Sequence, residues 1–338
     1  MRKERESNFE LLRIIAMFLV LVVHANYFSL GAPSLQECSD NPLQSMFRIS
    51  VESVSIVCVN VFVLVSGWFG IHFKWKSLVN FLFQVFFFGI GIYLFVVLFL
   101  NVHVSLRGIA ACFQITTWNW FVKSYLCLYL LSPVLNSFCD NANHKSFLTV
   151  ILSFFVFQSI YGWTGSANFF LQGYSTISFC GLYLVAQYVK RFVLPKFSRK
   201  NIIVIGLILY VVSSLLLLTI EFLSIRFSIP MLSMFSYINP LVILSSISII
   251  LIFSQIKMKS RIINWIAASC FAVFLIHTNV NICVPYYKSF VKHIYQNYDG
   301  IFCVCLMFVF ILTVFILSVL LDQIRKFFWK FINAQIPT

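Results

Sequence analysis

The 338-residue chain is 61% hydrophobic and only 10% charged, yet it carries a formal net charge of +14. Ordinary soluble domains hold about 25% charged residues, and a chain of this size in water cannot hide so much apolar surface in one core. That excludes a soluble globular domain. The placement of the basic residues, described below, also removes nucleic acid as a partner.

Ten apolar runs approach the ~20 residues that a bilayer-crossing helix needs. They cover residues 9–28, 53–71, 78–101, 118–138, 147–163, 173–189, 202–222, 235–256, 262–284 and 301–321. A membrane barrel would show alternating segments of roughly 10 residues instead. The predicted class is therefore all-α: a polytopic membrane helical bundle of about ten transmembrane helices, forming a single domain over residues 1–338. The longest stretch outside the runs, residues 29–52, is too short for a separate domain, so the function must lie in the bundle and its loops.

Charge in hydrocarbon costs at least about 2.5–3.5 kcal/mol per group and needs a reason. The first run holds Glu10, Arg13 and His24. Eleven residues of helix, at about 100° each, bring His24 back to within about 20° of Arg13, roughly 16 Å further along the axis. Glu10 stands three residues before Arg13, the spacing of a helical ion pair. One helix thus offers an ion pair and, deeper, an imidazole on a common stripe. In a cavity, that imidazole can take a proton near neutral pH. The structural alternative has Arg13 snorkelling to the headgroups and His24 satisfying an interhelical hydrogen bond. Arg13 and His24 also interrupt the apolar core that a cleaved secretion signal would need, so the first span is expected to be retained.

Further along, Ser66 and Gly67 close the second run and suit close helix approach. Lys74 and Lys76 follow at its mouth, either as topology signals or as point charges for phosphate. The fourth run carries Trp120, Lys123, Tyr125, Tyr129 and Pro133. Its aromatic residues fit an interfacial belt as well as a substrate site. In the ninth run His277 lies fifteen residues from its start at 262, matching the fifteen from residue 9 to His24, so the two histidines are expected at similar depth. The ten cysteines are scattered, show no metal-type pairing with histidine, and read as small apolar fillers.

The loops sort by charge. Arg2, Lys3, Arg5, Lys74, Lys76, Lys145, Lys190, Arg191, Lys196, Arg199, Lys200, Lys257, Lys259, Arg261, Arg325, Lys326 and Lys330 fall on one side, against Arg48, Arg107, Arg226, Lys288 and Lys292 on the other. The positive-inside rule makes the basic-rich side cytoplasmic, with both termini there, as an even number of spans demands. Topology and contact with anionic membrane lipids account for the basic excess.

The run from Glu10 through Arg13 to His24 resembles the opening helix of the acyltransferase 3 family of integral-membrane O-acyltransferases, whose signature is an acidic residue, Arg three later and His eleven beyond. The resemblance continues through Phe62 to Gly67, Trp120 to Tyr129 and Pro133, Gly173 to Tyr183, and Phe271 to His277, and so spans nearly the whole chain in order. It implies a multi-pass cell-membrane enzyme, in the bacterial cytoplasmic membrane, that takes acetyl-CoA or a related acyl-CoA as donor. The implied acceptor is a cell-surface polysaccharide or its lipid-linked sugar precursor. It also maps the essential His onto His24 and the essential Arg onto Arg13. Where many members carry an Arg pair, this chain has Lys74 and Lys76, expected to meet the CoA phosphates. Where many carry Trp, Glu and Tyr, it has Trp120, Tyr125 and Tyr129, so the carboxylate of that helix is missing. With His277, these aromatic residues are the candidate substrate-site residues. His24 is expected to act as general base, with an acetyl-histidine intermediate as the alternative, and Arg13, oriented by Glu10, to organise the inner channel or meet the donor; no metal is indicated. The competing classes are a polysaccharide transporter or flippase, in which the intramembrane charges relay protons, and a lipid-linked glycan polymerase, which would need larger, Arg-rich outer loops.

Overall fold

The computed structural model describes residues 6–116, 119–229 and 232–335. Among them there is no strand; helices fill the sequence between short turns. Among the described residues, seven helices are long and apolar enough to span a membrane: Ser7–Phe28, Pro42–Phe69, Trp75–Phe99, His144–Thr164, Thr176–Lys196, Arg199–Arg226 and Gly300–Ala334.

Three expected crossings take other forms. Helix α7 in this account, Trp120–Asn141, is long enough, but Lys123, Ser132, Asn136, Ser137 and Asp140 dilute its hydropathy. The eighth run yields only the 15-residue helix Pro240–Ser254. The ninth is broken, with Arg261–His277 and Val280–Asn297 meeting at a 61° bend. Trp118, the expected start of the fourth run, and the basic residues Arg2, Lys3 and Arg5 lie outside the described residues.

The elements used below are α1 (Ser7–Val23), α2 (Leu35–Asp40), α3 (Pro42–Ser55), α4 (Cys58–Phe69), α5 (Trp75–Phe99), α6 (Leu106–Cys112), α7, α8 (His144–Phe157), α9 (Thr176–Tyr188), α10 (Arg199–Arg226), α11 (Pro240–Ser254), α12 (Arg261–Ala267), α13 (Cys270–His277), α14 (Val280–Ile282), α15 (Ser289–Asn297) and α16 (Gly300–Gln335).

The stretch 29–52 is not a loop. Ser34 opens α2 with a capping box to Glu37, and Pro42 sits in the first turn of α3, where its missing N–H costs nothing. Helix α3 is inside-out: Ser45, Arg48, Glu52 and Ser53 are buried while Leu43, Phe47 and Val54 are exposed. Hydrocarbon on the outside reverses the usual pattern, and a search for unbroken apolar runs passes over such a helix. The span Pro42–Phe69 is also the most enclosed of the seven. Gly67 explains how α4 fits there, since a Cβ at this position would stand 2.7 Å from the Tyr183 carbonyl oxygen of α9.

Contacts sort the loops into two ends. At one, the Ser260 N–H donates to Ser7 Oγ (2.9 Å), Tyr129 meets the Lys74 backbone, Arg191 pairs with Asp140 (2.8 Å) and Lys326 reaches Ser269. At the other, Tyr27 faces Glu221 (3.5 Å), Arg48 lies between Glu37 and Tyr295, and Lys288 sits over Phe28. The basic-rich segments therefore share the Ser7 end.

Candidate active site

Both singled-out histidines sit where a helix changes form. Helix α1 loosens into a five-residue π-helical turn, His24–Phe28, a distortion that often marks functional positions. His277 is the last residue of α13, immediately before the bend; Thr278 ends the helix and the Asn279 side chain caps the next turn. Broken helices are tolerated in membranes where protein or a cavity surrounds them.

The break brings the two rings together. His24 Nδ1 lies 2.9 Å from His277 Nε2, and His277 Nδ1 lies 2.6 Å from the Val273 carbonyl oxygen. A carbonyl only accepts, so His277 Nδ1 carries the proton and, in the neutral ring, its Nε2 is an acceptor. His24 Nδ1 must then donate. By elimination His24 Nε2 holds a lone pair, and no described residue hydrogen-bonds it. An imidazole locked into one tautomer by the bond its other nitrogen makes is the arrangement of a positioned base. His277 is buried, at 1% exposure. Its ring is flanked by Tyr287 (centroids 5.6 Å apart), whose hydroxyl donates to the Leu21 carbonyl at 2.6 Å and pins the broken span to α1.

A cavity of about 240 Å³ approaches this pair from the Ser7 end, lined by Arg13, Met17 and Val20 of α1 together with Ser66, Tyr125 and Phe274 from facing helices. Arg13, Met17 and Val20 follow the expected helical stripe, and His24 is its next member. Neither histidine lines the cavity; the pair lies about one turn beyond Val20 and Phe274. Glu10, buried, accepts from Arg13 at 2.9 Å, which orients the guanidinium at the cavity's near end. Tyr125 stands 3.1 Å from Ser66 Oγ and stacks on Phe121.

The remaining expected residues are spread wider. Tyr129 is at the Ser7-end mouth, bonded to the backbone N–H and C=O of Lys74 (2.9 and 3.1 Å). Lys74 is exposed there, while Lys76 reaches the Asn333 carbonyl at 3.5 Å. Trp120 is in an aromatic cluster with Tyr174 and Tyr237, outside the cavity lining. Among the described residues no three His, Cys, Asp or Glu side chains converge as metal ligands.

A family model described as an acyltransferase domain matches residues 6–322. The chain belongs to the acyltransferase 3 family. Its several apolar spanning helices make this member a multi-pass membrane protein. No curated protein and no solved structure matches the chain.

One polar group near the site escaped the sequence reading. Asn26, on the π turn, donates to Glu52 (3.0 Å) and to the Arg48 carbonyl (2.8 Å), while Arg48 Nε returns a bond to Asn26 Oδ1 at 3.3 Å. Arg48 also donates to the Gly31 carbonyl and covers the Tyr295 ring at 5.1 Å. These bonds hold the π turn against α3, two residues from His24. The spacing Ser45, Arg48, Glu52 was the available signal, a polar helical face hidden in what read as a loop.

Proposed function

We propose that this acyltransferase is a membrane O-acyltransferase that moves an acetyl or other short acyl group from acyl-CoA to a hydroxyl of a cell-surface glycan or of its lipid-linked precursor. The observation that carries this reading is the His24–His277 pair, with His24 Nε2 left as an acceptor that no described residue hydrogen-bonds, about one helical turn beyond a cavity lined by Arg13, which Glu10 orients.

The chemistry asks little of the protein beyond position and a base, because a thioester already supplies an activated acyl group. His24 Nε2 takes the proton of the acceptor hydroxyl as its oxygen attacks the thioester carbonyl. Collapse of the tetrahedral intermediate expels the CoA sulfur, and the proton on His24 goes to it. His277 Nε2 orients the imidazole by accepting from His24 Nδ1, and it disperses the charge that His24 gains. The cavity is below the roughly 300–1,000 Å³ of ordinary ligand pockets. Its size suits the slim acyl-thioester arm passing Arg13, with the nucleotide remaining at the Ser7-end mouth, where Lys74 and Lys76 lie. In this reading that end faces the cytoplasm, as the basic asymmetry of the loops favours, and the acceptor arrives from the Phe28 side.

The direct test reconstitutes the purified chain in phospholipid vesicles with labelled acetyl-CoA and an oligosaccharide acceptor. Gain of one acetyl mass increment on the sugar, with release of free CoA thiol, is the expected result. Movement of unmodified sugar across the vesicle without thiol release would replace the enzyme with a transporter.

A further inference from the structure

Only three side chains lining the cavity beside α1 are strong hydrogen-bonding groups: Arg13, Ser66 and Tyr125. The Cys270 thiol is turned to the Ile266 carbonyl at 3.9 Å, and the other walls are apolar. The three polar groups share one level. Phe9, one turn before Arg13, packs edge-on against Phe69, which lies about one turn beyond Ser66, and Ser66 in turn meets Tyr125. Val59 stands seven residues back along α4 from Ser66, about 10 Å of helix. A polar band near the Ser7 end is therefore followed by an apolar neck, walled by Val20, Val59 and Phe274, that leads toward the histidine pair.

The bonds within the band fix the direction of each proton. Ser66 Oγ donates its one hydrogen to the Phe62 carbonyl at 2.9 Å. In the 3.1 Å contact with Tyr125 Oη it must then accept, and Tyr125 donates. Tyr125 Oη keeps its lone pairs, and no described residue donates to them. Arg13 commits one nitrogen to Glu10 and has no other hydrogen-bond partner among the described residues, so the rest of its guanidinium is open. An open donor and an open acceptor together suit a secondary amide, with C=O to Arg13 and N–H to Tyr125. A hydrocarbon chain uses neither group. A phosphate or carboxylate uses Arg13 but meets only lone pairs at Tyr125.

The pantetheine arm of acyl-CoA carries secondary amides and reaches its thioester through methylene groups, the order in which band and neck follow from the Ser7 end inward. We propose that Tyr125 is a specificity-determining residue for the donor: Oη accepts an amide N–H of that arm while Arg13 donates to an amide carbonyl. Ser66 is the positioning residue that keeps the Tyr125 hydrogen turned away from the arm. The inference rests on the acyltransfer reading above and deepens it, from which donor is used to how its arm is recognised within the bundle.

The probes are S-acetylpantetheine, which has the arm without the nucleotide, and its analogue with esters in place of the amides. Each is offered with the oligosaccharide acceptor to the whole protein in phospholipid vesicles. For wild type, KM for the ester analogue should be about fivefold above that for the amide, the loss of a neutral hydrogen bond. Tyr125→Phe keeps the ring contacts with Phe81 and Phe121 and removes only the acceptor. It should raise KM for S-acetylpantetheine about fivefold, leave KM for the ester analogue where it was, and so bring the ratio of the two near one. Ser66→Ala frees the Tyr125 hydrogen and should lower the ratio about twofold. A wild-type ratio near one overturns the proposal whether or not a variant folds. An unchanged ratio in Tyr125→Phe, or an equal loss with both donors, also overturns it and makes Tyr125 a packing residue. Acetyl transfer from acetyl-CoA, read in the same vesicles, separates the two readings. Transfer from acetyl-CoA without discrimination between the probes removes the amide contact alone; no transfer from any of the three donors removes the acyltransfer reading with it.

Discussion

Two buried polar clusters in this bundle differ in how completely they are partnered. Near the Ser7 end, Asp322 is fully buried and receives Arg325 through both oxygens (2.6 and 3.1 Å), with Lys326 and Gln84 each at 3.5 Å. Arg325 extends to Asn80 on α5 and Lys326 to Ser269 before α13. Carboxylate, guanidinium and ammonium all have partners, and the cluster ties three segments together. The histidine pair is built from weaker donors and acceptors, and it leaves one nitrogen open. Removing a partner from a closed charged cluster strands a charge, so its cost falls on folding. The open nitrogen contributes little to folding, and its loss falls on chemistry.

That contrast is sharpest in the first experiment. Asp322→Ala leaves Arg325 buried without its counter-ion and should destabilise the fold by about 3–5 kcal/mol. The expected result is a large fall in recovered protein and in its thermal midpoint, with normal specific activity in whatever folds. Normal yield with lost activity would move Asp322 into the chemistry and erase the contrast.

His277→Phe comes next. It keeps a ring in the site but removes the acceptor that fixes the His24 tautomer. The turnover rate should fall on the order of 10²-fold, the lower range for losing a positioned proton transfer, while KM for the donor and the yield of protein stay close to wild type. His277→Gln, whose oxygen can still accept from His24, should recover part of the rate. An equal loss of protein and activity in both variants would make His277 a packing residue.

The smallest expected effect belongs to the mouth. Lys74 and Lys76 are neither closed into a cluster nor near the bond-making atoms. Replacing both with Gln should raise KM for acyl-CoA at least about tenfold, since charge-assisted bonds contribute about 1.5–3 kcal/mol each, and leave turnover unchanged. An unaltered dependence on donor concentration would leave the Asn333 contact of Lys76 and the Tyr129 tie of Lys74 as their whole role.

The legibility of these features in the sequence follows the same divide. The stripe along the first span could be read because Glu10, Arg13 and His24 are polar groups in an otherwise apolar run, where the spacing alone fixes the face. The equal depth of His24 and His277 could be counted from the run boundaries. Their contact could not, because it depends on a π turn at one residue and a 61° bend just after the other, and no local pattern announces either. Arg48 read only as a loop charge, and Glu52 not at all, for a different reason. Their helix turns its polar face inward, and a reading tuned to continuous apolar runs sees such a segment as loop. The broken ninth span and the short Pro240–Ser254 helix share that origin: hydropathy records the apolar content of a segment and not its straightness or length.

The central claim is that His24 Nε2 is the base, and His24→Gln tests it most directly. Gln preserves hydrogen bonding at that position but cannot take the proton. Purified variant and wild type, reconstituted at equal amounts, are compared for acetyl transfer from acetyl-CoA to the glycan acceptor under saturating donor. A variant that inserts and folds normally but transfers at least about 10²-fold more slowly is the predicted result. Transfer within a few-fold of wild type by the folded variant would contradict it and remove His24 from the proton's path.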